Sequence, residues 1–207
     1  MNRPRTSIYV DGFNLFYGAC KRSGQKWLNL KSLFERLLPK HDIKAIHYFT
    51  ARVKPTLRNP KCSANQQIYL RALATIPEMH ISFGHFLRHT VRMPLADGSG
   101  VVEVIKTEEK GSDVNLASQL IVDGFRQQFE RAAVCSNDSD LAEPVRVVTK
   151  ELGIPVGVIN PHPKQSQKLK GLASFLKQIR LGDLKACQFP DEMTDQRGSF
   201  QKPEEWR

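Results

Sequence analysis

Short apolar runs that end at aspartates constrain this chain more than any other feature. Ser7-Ile8-Tyr9-Val10 ends at Asp11, and Ala132-Ala133-Val134-Cys135 runs into Ser136-Asn137-Asp138-Ser139-Asp140. Between them, Lys110-Gly111-Ser112 leads to Asp113, which opens an amphipathic stretch. Strands that bury both faces lose the apolar–polar alternation, so runs of this kind read as strands of a parallel sheet. Ligand sites of open α/β sheets form beyond the carboxyl ends of the strands. Aspartates far apart in sequence therefore meet if the strands before them are parallel neighbours.

The remaining pattern alternates strand and helix. Residues 13–22 have helical spacing, with Phe13, Phe16, Tyr17 and Cys20 on one face. Asn29 is placed to cap a helix over 30–38 that ends at Pro39, and 43–53 is β-branched and aromatic enough for a strand. Two prolines make 54–61 a loop, and Ser63 is expected to cap a helix through Ile76. The stretch 79–95 alternates imperfectly up to the turn Ala96-Asp97-Gly98-Ser99-Gly100, so with 101–105 it reads as a β-hairpin insertion. After Asp113, the residues Val114, Ala117, Leu120, Ile121 and Phe125 are helically spaced; Leu141, Val145, Val148 and Leu152 form a second stripe closed by Gly153. Residues 155–159 read as the last core strand, 165–180 as two helical segments, and 189 onward as polar surface without regular structure. The expected fold class is α/β, with a central, mainly parallel sheet between helices.

The chain has 207 residues, enough for one α/β domain with an appendage. No run approaches the apolar length of a membrane span, and the N-terminus enters a strand without the apolar segment of a signal peptide. A cytoplasmic protein without membrane attachment is expected. Cys20, Cys62, Cys135 and Cys187 are scattered, which argues against a zinc ribbon or a redox dithiol. The net charge of +10 attracts polyanions, of which nucleic acid is the most abundant. A basic chain carrying an acidic cluster is more informative than charge alone.

Each aspartate also has a plain structural reading. Asp11 stands where a strand–helix connection needs a cap, Asp138 is expected at a strand end with Asp140 at or before the next helix N-terminus, and Ser112 or Asp113 could cap the helix after Gly111. Glu108 and Glu109 read equally as outer groups of a site or as a solvated charge run.

Ile8-Tyr9-Val10-Asp11-Gly12-Phe13-Asn14-Leu15, Lys110-Gly111-Ser112-Asp113-Val114 and Ser136-Asn137-Asp138-Ser139-Asp140-Leu141 resemble, in this order, the motifs of the NYN domain family of PIN-like nucleases, as does Gly153-Ile154-Pro155-Val156-Gly157-Val158. The resemblance implies a domain over about 7–180, built as a three-layer PIN-like sandwich, with 181–207 as an extension packed on it or trailing from it. It also implies a Mg²⁺- or Mn²⁺-dependent ribonuclease with Asp11, Asp113, Asp138 and Asp140 as the acidic metal set and Asn14 as the matching asparagine. Ser112 and Asn137 depart from the family pattern, which is usually apolar at the first place and often glycine at the second; neither removes a carboxylate.

Phosphodiester hydrolysis needs an activated water, neutralised phosphate charge and a stabilised leaving oxygen, which one or two divalent ions can supply. RNA is the expected partner, and basic side chains must hold its flanking phosphates. Arg52, Lys54, Arg58 and Lys61 around the proline loop, Arg88 and Arg92 in the hairpin, and Lys164 and Lys168 after the last strand are the candidates. A homo-oligomer stays open. Two other functions compete. A haloacid-dehalogenase-type phosphatase needs a second Asp two residues after the first, where Phe13 stands. A non-catalytic nucleic-acid-binding module explains the charge but not the complete acidic set.

Overall fold

The structure, a computed structural model, describes residues 3–57 and 59–207. β1 (Arg5–Asp11) leads into a helical run made of α1 (Gly12–Leu15), a π-turn over Phe16–Cys20 and α2 (Lys21–Ser23). α3 (Leu30–Leu37) precedes β2 (Asp42–Thr50), and α4 (Cys62–Leu73) precedes β3 (Met79–Phe83). The chain leaves the sheet as β4 (His85–Pro94) and β5 (Val101–Lys110), and returns through α5 (Ser112–Phe125) to β6 (Arg131–Cys135). A 3-10 turn (Ser139–Leu141), α6 (Ala142–Arg146) and a π-turn (Val147–Glu151) lead to β7 (Val156–Asn160), and α7 (Gln167–Leu172) leads to β8 (Leu176–Gln178). α8 (Leu181–Ala186), β9 (Glu192–Asp195), β10 (Gly198–Gln201) and a last 3-10 turn (Glu204–Trp206) follow.

Six strands form the central sheet in the order β3-β2-β1-β6-β7-β8, and every pairing is parallel. Helices cover both faces, which gives the three-layer α/β sandwich of a PIN-like fold. From β1 the chain builds outward through β2 and β3, then returns to add β6, β7 and β8 on the other side. The switch point of the topology therefore lies between β1 and β6, where an open sheet leaves a crevice at its carboxyl edge. The expected hairpin insertion is present as β4–β5, a separate two-stranded sheet, but its first strand starts at His85: residues 79–83 break away as β3, paired in parallel with β2 at the sheet edge, and β5 runs on to Lys110.

Alternation along β1 divides the core. Ile8 and Val10 face a cluster with Trp27, Leu33, Phe34 and Leu73, while Tyr9 faces Leu116, Leu120, Val145 and Val148. Each such side chain, fully buried, contributes about 1.5–3 kcal/mol. Asp11, two residues beyond Tyr9, shares Tyr9's face and so looks toward α5.

Several expectations are corrected. The strand over 43–53 stops at Thr50, because Gln66 takes the next backbone groups: Val53 N–H donates to its Oε1 at 2.9 Å, and its Nε2 donates to Ala51 O at 2.9 Å. α4 begins at Cys62 after a turn, so Ser63 lies inside it and does not cap it. Tyr17 is 54% exposed, off the buried face that Leu15, Ala19 and Cys20 form. On α5 the buried face is Ser112, Leu116, Leu120 and Asp123; Val114 and Phe125 are exposed. The second helical segment expected before residue 180 is instead β8. Its approach pairs with β7 through Ser174 N–H to Val156 O, and the Phe175 ring fills the space where a Cβ on Gly157 would lie.

The C-terminal stretch is also structured. Gln188 bridges Leu28, Trp27 Nε1 donates to Pro190 O at 2.7 Å, and Phe189 and Phe200 are buried with Trp27 in the core. Among the described residues, no helix is long and apolar enough to cross a membrane.

Candidate active site

Three strand-to-helix connections meet at the switch point. Asp11 ends β1, is 6% exposed and caps α1: its Oδ1 accepts the Asn14 N–H at 2.9 Å. Its Oδ2 accepts the Ser136 hydroxyl at 3.0 Å across the gap to the end of β6. Ser136 Oγ in turn accepts the Asp138 N–H at 3.1 Å, and Asp138 Oδ1 accepts the Asp140 N–H at 2.9 Å as the cap of the 3-10 turn. A continuous relay therefore runs from Asp11 through Ser136 and Asp138 to Asp140.

Asn14 and Asn137 lock the same region from the other side. Asn14 Oδ1 accepts the Asn137 N–H at 2.9 Å. The Asn137 amide then holds the loop after β7, accepting Ser166 N–H at 2.7 Å and donating to Lys164 O at 3.0 Å. An asparagine with both ends of its amide engaged does what a glycine at this place cannot. Motif reading marked Asn137 only as a departure from the family's glycine and gave Ser136 no role; both hold the acidic loop in place.

Asp113 enters from α5. Neither Ser112 nor Asp113 is the cap. Gly111 occupies the cap position with φ +95°, a left-handed conformation that favours glycine, and Glu109 supplies the capping oxygens. Glu109 Oε1 accepts the Ser112 N–H at 3.1 Å and Oε2 accepts the Ser112 hydroxyl at 2.7 Å. Asp113 is therefore not the cap; Ser112 hydrogen-bonds its carboxylate, which lies close enough to Asp138 and Asp140 to feel their charge.

That field is visible in the protonation equilibria. The Asp11 carboxyl is pushed up to about 6; burial is the main cause, and Asp113 and Asp138 add to it against the Asn14 and Ser136 hydrogen bonds. Asp113 is raised as well, by burial first, then by Asp138, Glu109 and Asp140. Among the described residues, no Lys, Arg or His lies in an ion pair with Asp11, Asp113, Asp138 or Asp140. Like charges gathered without a counter-charge are the setting in which a bound cation is most favourable. The donors fit a hard divalent ion, being carboxylate oxygens. Among the described residues, no three acidic, His or Cys side chains close on one point at ligand distance, so binding requires the side chains to draw in.

The basic candidates fall in different places. Lys164 and Lys168 are exposed, the first on the loop that Asn137 holds. Arg88 and Arg92 are exposed and share the hairpin face of Phe86, whose ring meets Phe13 edge-on at 5.8 Å. At about 3.4 Å per residue, Arg92 is about 20 Å along the hairpin from Phe86. Arg52 is exposed, with its guanidinium 4.4 Å over the Phe83 ring. Lys54 is exposed, whereas Lys61 is tied to Glu205 at 2.6 Å. Arg58 lies outside the described residues.

Sequence reading missed one further carboxylate. Asp123, buried on α5, accepts the Tyr9 hydroxyl at 2.7 Å and Gln119 Nε2 at 2.8 Å, with His47 Nε2 at 3.6 Å. Its spacing from Leu116 and Leu120 is the available signal, since it continues their helical stripe.

The fold has a known counterpart. A crystal structure of a protein of unknown function from Vibrio parahaemolyticus RIMD 2210633 superimposes with a TM-score of 0.58 at 16% identity, covering 86% of this chain and 94% of that one. At that identity the likeness shows the fold alone. In sequence, the chain is 29% identical over 235 aligned positions to 6-hydroxy-3-succinoylpyridine 3-monooxygenase HspA of Pseudomonas putida (strain DSM 28022 / S16), covering 98% of this chain and 75% of that protein. The profile of the NYN domain matches residues 5–178, a span that contains all four aspartates, and the chain belongs to the NYN domain family.

Proposed function

We propose that the protein is a Mg²⁺- or Mn²⁺-dependent ribonuclease that hydrolyses RNA phosphodiester bonds at Asp11, Asp113, Asp138 and Asp140. The observation that carries the reading is the gathering of these carboxylates, without a basic partner among the described residues, at the switch point of a sheet whose family is PIN-like. A divalent ion held there would neutralise phosphate charge and promote ionisation of the attacking water. The chain's own part is positioning. Ser136 and the Asn14 N–H fix the two oxygens of Asp11, so the carboxylate keeps one orientation as a substrate arrives. Asn14 Oδ1 and Asn137 hold the Asp138 loop against α1. Glu109 caps α5 in place of Asp113. Lys164, Arg88 and Arg92 are proposed to carry flanking phosphates outside the acidic set.

The reading is tested on single-stranded and structured RNA with Mg²⁺, Mn²⁺ or EDTA. Cleavage with either metal and none in EDTA supports it; cleavage unaffected by EDTA removes the metal from the mechanism.

The HspA likeness favours a second reading, in which the chain takes part in oxygenation of a small nitrogen heteroaromatic. Oxygen uptake with 6-hydroxy-3-succinoylpyridine and a two-electron donor separates the two. Uptake without RNA cleavage would favour the second; cleavage without uptake favours the first.

A further inference from the structure

We infer that the cleft between α4, the edge strand β3 and the β9–β10 turn binds one nucleotide of a single-stranded RNA whose neighbouring phosphate lies at the aspartates. The inference rests on the ribonuclease reading for the placement of that phosphate. The cleft has a volume of about 760 Å³ and is lined by Arg52, Arg71, Phe83 and Arg197, with Leu70 and Ile81 in its wall. That size falls within the range of about 300–1,000 Å³ typical of small-ligand sites.

Charge and shape select the ligand. Arg71 is committed to the fold: Nε and Nη2 donate to both oxygens of Asp195 at 2.8 and 2.6 Å, and the guanidinium lies 4.2 Å over Phe200. It anchors the β9–β10 turn that closes the cleft. Arg52 and Arg197 have no ion-pair partner among the described residues, so the cleft is left cationic. Phe83, 39% exposed, carries the Arg52 guanidinium on its ring. An exposed arginine–aromatic stack offers a flat cationic platform, and single-stranded RNA is read by stacking its bases on aromatic rings and guanidinium planes. Arg197, on the turn opposite, is placed for the phosphate.

Register connects the cleft to the aspartates. Asp11 pairs with Phe49, and Phe49 pairs with Ser82, so Phe83 is two strands from Asp11 and one residue further toward the carboxyl edge. Two strand spacings put the Phe83 and Asp11 backbones about 10 Å apart. Phe83 faces the side of the sheet opposite Asp11. The strand of RNA must then cross the carboxyl end of β2, where Arg52 stands.

The test is the affinity of a fluorescein-labelled single-stranded oligouridine in EDTA, where hydrolysis does not intervene, read by anisotropy for wild type, Phe83→Leu and Arg197→Gln. Phe83→Leu keeps an apolar side chain at a half-exposed site, and Arg197→Gln changes only an exposed turn; equal melting temperatures verify both folds. Loss of the stack should raise Kd about 5- to 150-fold. Loss of Arg197 should lower the magnitude of the log-affinity versus log-salt slope by about 0.7. Unchanged Kd and slope in both variants overturn the cleft, and Mg²⁺-dependent cleavage by the same wild-type protein would leave the ribonuclease reading standing. Weakened binding by these variants in a protein that never cleaves RNA supports the cleft and overturns the ribonuclease reading. No binding by wild type overturns the cleft, and Mg²⁺-dependent cleavage then decides the ribonuclease reading by itself.

Discussion

The side-chain carbonyl of Asn14 accepts the backbone N–H of Asn137 at 2.9 Å, joining the helix after β1 to the loop after β6. That bond crosses the switch point and sets the separation of Asp11 from Asp138. Asn14→Ala leaves a partly buried N–H without its partner, at a cost of about 1 kcal/mol. A displacement of the loop near 1 Å should lower RNA hydrolysis about 100-fold, because reacting groups tolerate little misplacement. Thermal unfolding and single-turnover cleavage check the two parts separately; full cleavage by Asn14→Ala would remove Asn14 from the machinery.

The raised carboxyl of Asp11 makes a prediction with a definite sign. Its folded value of about 6 lies above the ordinary 3.8, so the native state holds this proton more tightly than the unfolded state does. Stability from this group is therefore greatest at low pH and falls as pH rises from about 4 to about 6. Above that window the metal-free protein carries a buried, repelled carboxylate. Asp11→Asn should then raise the melting temperature at pH 8 in EDTA, by an amount equivalent to about 1–3 kcal/mol. The advantage should shrink below pH 5. Mg²⁺ should stabilise wild type more than the variant, as differential scanning calorimetry at two pH values would show.

Ser136→Ala tests the relay. The Ser136 hydroxyl lowers the Asp11 pKa, so its loss should move that pKa further up. Protons would then compete with metal over a wider range, and the acid limb of the pH–rate profile should shift to higher pH. An unmoved profile would mean that the hydroxyl only ties the strands together.

Salt dependence sorts the basic residues. Replacing Arg88 and Arg92 with Ala should lower RNA affinity and reduce the magnitude of the salt slope by about 0.7 for each phosphate no longer neutralised. Lys61→Ala should change the slope less, because its ammonium is already bound to Glu205 at 2.6 Å. A larger effect from Lys61 than from the hairpin pair would place the RNA path over the proline loop.

Much of the fold and the acidic site was legible in the sequence. β1 and β6 are apolar runs, and Asp11, Asn29 and Gly153 stand where the capping rules put them. The Leu141, Val145 and Val148 stripe follows from periodicity, and so does the hairpin beyond Gly84; the break that sends 79–83 to the edge of the main sheet does not. What escaped is set by tertiary partners. Nothing local marks Gln66 as the group that ends β2, or Glu109 as the cap of α5. β8 is three residues long and depends on β7 for its pairing, so its sequence carries no strand period. The C-terminal hairpin looks polar because its outer residues are; Trp27, far away in sequence, supplies the apolar surface that orders it. Asp123 is hidden for the opposite reason, as a charged residue on a face that Tyr9 and His47 make polar.

The most direct test of the central claim is single-turnover cleavage of one end-labelled single-stranded RNA in Mg²⁺ by wild type, Asp11→Asn and Asp138→Asn, with folding of each verified by circular dichroism. The account predicts cleavage by wild type and a loss of about 100-fold or more in each folded variant. Cleavage at the wild-type rate by both folded variants would contradict it.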